Sequence, residues 1–140
     1  MRGFFLLTAL GAGLLSSGAA AAQTAPASAV DLPLVTGMTF DDTCGPRPQY
    51  QGKAVCVRGN LASIEPVAGT YIGHFTGQGW QVVGGEANGV IFARPRAGGG
   101  CDGLEMAAYY DETRPVAPAT EAWLAFAPIP GDVCAGAAAQ

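Results

Sequence analysis

The chain has 140 residues, 11 acidic and 7 basic, one histidine and four cysteines, for a formal charge of −4. Such an acidic chain, with Lys53 its single lysine, lacks the clustered positive charge that nucleic acids and anionic membranes require, and this excludes both as partners. The length suits one domain once a leader is set aside.

Residues 1–22 run from Arg2 through an apolar stretch, Phe4 to Leu15, to small residues ending Ala20-Ala21-Ala22. This is the order of a secretory signal peptide, with cleavage expected between Ala22 and Gln23. The apolar run is too short to span a bilayer, which takes roughly 20 residues. No stable membrane anchor is expected after cleavage. The rest of the chain is expected in the periplasm or secreted, where cysteines oxidise. The Arg-over-Lys bias and abundant Ala, Gly and Pro suggest a bacterial source.

Residues 23–31 read as a disordered Ala/Pro/Ser tether, residues 32–134 as one disulfide-stapled domain and residues 135–140 as a tail. Leu32 to Val35 can form a short edge strand, since Pro33 disfavours a central one. Thr39 with Asp42 three residues on has the pattern of a helix-capping pair, and Gly45-Pro46 would stop that helix after about one turn. Residues 45–53 read as a loop and Ala54 to Val57 as a short strand. Gly37-Met38-Thr39, followed by Cys44 and Cys56, resembles the helix-opening Gly-Met-Thr of β-lactamase-inhibitor-like and outer-membrane assembly lipoprotein modules. That likeness covers residues 37–56 and assigns no role to any of them.

Ile64, Ala68, Tyr71, Ile72 and Phe75 form one stripe at helical spacing, which predicts a helix from Ile64 to Gly77 with Ser63 as its cap and Pro66 in its first turn. Gly69, Gly73 and Gly77 recur every four residues on the opposite face, so tertiary packing must hold a helix that glycine weakens. Strands are expected at Trp80 to Val83, Val90 to Arg94, Leu104 to Tyr110 and Ala122 to Ala127, with a turn at Asn88-Gly89. The expected fold class is α+β: one main helix packed on a three- to four-stranded antiparallel sheet, with two disulfides.

Four cysteines allow three pairings. Cys44 with Cys56 and Cys101 with Cys134 is favoured, because each pair then brackets a separate unit. The loop-closure contributions are about 3 and about 4 kcal/mol. There is no C-x-x-C, so the main signature of a redox role is missing. His74 has no second ligand at metal-binding spacing and reads as a structural residue. Asp102 and Glu105 fall on opposite faces of a strand, and Glu105 and Asp111 on one face are about 20 Å apart, too far for glycosidase chemistry. No catalytic residue, metal ligand or cofactor site is assigned.

The second face of the sheet is unusual. With Leu104, Met106, Ala108 and Tyr110 towards the helix, Glu105, Ala107, Tyr109 and Asp111 point away, alongside Ile91 and Trp123. An exposed sheet face normally alternates to polar residues, whereas this set holds aromatics. Either residues 32–60 fold across it, or Tyr109, Trp123, Ile91 and Glu105 form a binding surface. The expected function is an exported periplasmic, non-enzymatic binding or accessory module for a protein or small-molecule partner. The alternatives are a small envelope-acting hydrolase and an acidic inhibitor of a cationic secreted enzyme such as a lysozyme.

Overall fold

The computed structural model describes residues 30–135. The expected signal peptide, most of the expected tether and all but Ala135 of the expected tail lie outside the described residues. Six strands form one antiparallel sheet: β1 (Thr39–Phe40), β2 (Val55–Asn60), β3 (Gln81–Glu86), β4 (Gly89–Pro95), β5 (Cys101–Tyr110) and β6 (Glu121–Ile129), with helix α1 (Leu61–Gly77) between β2 and β3. Their spatial order is β1-β2-β6-β5-β4-β3. The expected α+β arrangement and both disulfides are present, Cys44–Cys56 and Cys101–Cys134, but three or four strands understates the sheet. The meander β3–β6 is extended by β2, which pairs along β6 from Val55 opposite Phe126 to Asn60 opposite Glu121, and by β1 outside it.

Two local expectations are corrected. Thr39 and Asp42 open no helix. Thr39 and Phe40 pair with Arg58 and Val57, and Asp41 turns its carboxylate onto the Thr43 amide and hydroxyl. That is the local alternative short polar side chains offer to helix. Leu32 to Val35 forms no strand. Instead Val30, Leu32 and Val35 pack against the core, and the Pro33 carbonyl accepts from the Tyr71 hydroxyl at 3.0 Å.

Helix α1 starts three residues earlier than its apolar spacing suggests. Asn60 caps it by accepting from the Ser63 amide at 3.0 Å. Pro66 therefore lies beyond the first turn, where its ring removes a helical hydrogen bond. The buried stripe of Ile64, Val67, Tyr71 and Phe75 meets Val57, Phe92, Leu104, Leu124 and Phe126 from the sheet. Burial, not propensity, holds a helix with this much glycine. The back of the helix is bare: apart from the adjoining residues and the helix's own backbone, no described atom lies within 4 Å of where a side chain at Gly69, Gly73 or Gly77 would begin. His74 lies at the stripe's border, its Nε2 2.8 Å from the Asp31 carbonyl oxygen.

Candidate functional site

Each face of the sheet is covered differently, and this decides which sequence-predicted site residues are accessible. Tyr109 and Trp123 do point away from the helix, in register opposite one another. They are not an uncovered surface, however. The loop closed by Cys44–Cys56 lies over them and leaves Tyr109 7% and Trp123 5% exposed. The covering loop is tied down chemically. The Tyr109 hydroxyl donates to the Cys44 carbonyl at 3.0 Å, and the Trp123 indole donates to the Asp41 carboxylate at 2.7 Å. Tyr50 from the loop stacks on Tyr109, which in turn stacks on Trp123. Of the four surface candidates only Ile91 and Glu105 remain partly exposed.

Electrostatics agree with a closed layer. Burial, with lesser contributions from Tyr50 and Asp41, pushes the Tyr109 hydroxyl up to about 12, against an opposing effect of Arg47. Tyr50 is raised by burial and by the neighbouring Glu105 carboxylate. Burial alone would raise Asp41, but hydrogen bonds from Thr43 and Trp123 outweigh it and leave this carboxyl below its ordinary value. The other end of the second face is covered by the segment after β6, held by Cys101–Cys134. There Asp132 accepts from the Cys101 and Cys134 amides at 2.8 and 2.9 Å. Although Asp132 lies beside both sulfurs, the sulfurs bond each other, and the carboxylate has a capping role.

A cleft of about 530 Å³ lies elsewhere, between the N-terminal half of α1 and the sheet. Ile64, Ala68 and Ile72 form its helical wall, and Val90, Met106 and Ala108 its sheet floor. The β3–β4 turn, Glu86 to Gly89, closes one end. Glu65, Glu86 and Glu112 ring the opening. Glu112 is paired with Arg47 at 3.1 Å, while Glu65 and Glu86 have no ion-pair partner among the described residues. The cleft is therefore apolar within and acidic at its mouth.

This site arises because β4 is shorter than β5. The ladder between them ends where Gly89 faces Ala107. One residue on, the Ala108 amide donates to the Asn88 carbonyl at 2.7 Å and the Asn88 side-chain amide donates to the Ala108 carbonyl at 3.2 Å. Asn88 thus substitutes its side chain for a ladder donor and closes the pairing. Beyond it, Tyr110 has β6 on one side and no strand on the other. Sequence reasoning did not find this cleft. Its acids are scattered singly along the chain, and the only local signal was the Asn88-Gly89 turn. No family model, characterised protein or solved structure matches this chain in the comparisons.

Proposed function

We propose that the protein is an exported, non-enzymatic binding module whose cleft receives an apolar group carrying a positive charge. The observation behind this reading is the pairing of an apolar cleft with unpaired carboxylates at its mouth. Its volume falls within the range of roughly 300–1,000 Å³ usual for ligand sites. A formal charge of −4 adds long-range attraction for a cationic partner. An acidic inhibitor of a cationic enzyme is the case in which that positive group belongs to an enzyme's surface. Two disulfides, and no described helix long and apolar enough to cross a membrane, are compatible with an extracellular or periplasmic location. Amino-terminal sequencing of the protein from its native cell should begin near Gln23, and a start at Met1 would remove export from this reading.

The cleft is tested with two probes of equal tail length, decyltrimethylammonium and decyl sulfate, each below its micelle threshold. The cation should perturb the amide resonances of Ile64, Ile72 and Val90 and bind more tightly than the sulfate. Glu65→Gln with Glu86→Gln should weaken it about threefold to tenfold, the scale of two exposed charge interactions. Equal binding of both probes, or perturbations confined to other residues, would refute the assignment.

A further inference from the structure

The cleft has a property that a simple apolar pocket does not need: an unpaired strand edge runs through it. Along an antiparallel strand, amide and carbonyl pairs point alternately to the two neighbours. The Ala108 amide is directed at Asn88, on the β4 side. By alternation the Tyr109 pair is directed at β6, and the Tyr110 amide and carbonyl are directed to the side that β4 has left. The cavity itself records the missing strand. Its lining includes Ala108 and Tyr110, but also Arg47 and Tyr109, which belong to the opposite face of the sheet. A cavity reaches both faces of a sheet only by passing around a strand edge, and here that edge is Tyr110.

We infer that the cleft's occupant is an extended, basic polypeptide segment that adds a short strand to β5 at Tyr110. This rests on the binding reading above and narrows it from any cationic amphiphile to a peptide. Successive side chains of such a segment point to opposite faces. On the helix side an apolar residue meets the wall of Ile64 and Ala68, and basic residues two positions before and after it, on the same face, extend towards Glu65 and Glu86. Main-chain hydrogen bonds supply affinity and the flanking pockets supply selectivity, as in other strand-addition complexes. Glu112 is already neutralised by Arg47, so two carboxylates remain for the incoming charges.

The test uses the intact disulfide-bonded protein and a blocked pentapeptide, acetyl-Lys-Ser-Val-Ser-Lys-amide, whose valine and two lysines share one face of the extended strand. Two further versions carry N-methyl groups on alternate backbone amides, one version for each edge of the peptide strand. Methylation removes the donors along one edge and leaves every side chain in place. We expect the parent peptide to bind, one methylated version to lose at least tenfold in affinity, and the other to bind like the parent. Hydrogen exchange at the Tyr110 amide should slow at least tenfold in the parent complex. Equal behaviour of the two methylated versions, or unchanged exchange at Tyr110, overturns the strand-addition inference. So does failure of the parent peptide to bind while decyltrimethylammonium still does, and the broader cleft reading then stands. Failure of both probes removes both.

Discussion

Gly45 sits in the left-handed region at φ +54°, and a methyl group there would overlap the Trp123 ring. Glycine is required twice, by backbone and by contact, because only a bare α-carbon lets the loop lie flat on the indole. Gly45→Ala should cost about 1–3 kcal/mol, from strain and overlap together, read as a lowered denaturant midpoint. Substituting alanine at the open, exposed Gly69, in a helix interior, should act in the opposite direction. Tyr109 sets a different limit. Its hydroxyl is raised to about 12 in the folded protein, against about 10 for an unfolded tyrosine. Between these values the unfolded chain releases a proton that the folded one keeps, so stability is complete below pH about 10 and falls as pH rises towards 12. Tyr109→Phe should remove most of that alkaline loss, at the cost of about 1 kcal/mol at neutral pH for the hydrogen bond to Cys44. Urea unfolding at pH 7 and across pH 9.5–11.5 separates the two effects.

Among the elements, the loop of residues 41–54 depends on its disulfide. Replacing Cys44 and Cys56 together with serine removes a cross-link worth about 3 kcal/mol by loop entropy. It should also loosen the cover on Trp123, so its emission should shift to longer wavelength while the far-ultraviolet circular dichroism of α1 persists. Emission unchanged in the double variant would mean that the hydrogen bonds from Tyr109 and Trp123 hold the loop unaided. How legible each element was follows from how local its cause is. The stripe from Ile64 to Phe75 and the alternation from Leu104 to Tyr110 are written in consecutive residues, and both elements formed with the expected faces inward. The cysteine pairs could be ordered because each brackets one unit. Thr39 misled because the residues after it make a different local turn, with the Asp41 carboxylate on the Thr43 amide and hydroxyl, and β1 exists only through its pairing with β2. The cleft was illegible for the same reason. It is a difference in length between β4 and β5, seen from a helix that precedes both, and periodicity carries no information about where a neighbouring strand stops.

At the scale of the whole molecule, the sheet is completed by its last strand. β6 lies between β2 and β5, and its Leu124 and Phe126 are fully buried in the core beneath α1 while Trp123 anchors the layer on the other face. A chain ending at Thr120 keeps β1 with β2, the helix and the β3–β5 meander in its sequence, but leaves two interior edges unsatisfied. It should be degraded within the dead time of a pulse-proteolysis experiment, whereas the full chain survives, and resistance of the shortened chain would show that the two halves associate without their central strand. The same topology has a consequence for the timing of folding. In a protein that leaves a translocation pore head first, early segments usually have the chance to collapse while the remainder is still threading. Here the keystone is the last strand to emerge, so under the proposed export premature collapse would have nothing to lock it, and the polypeptide would stay threadable until β6 had passed.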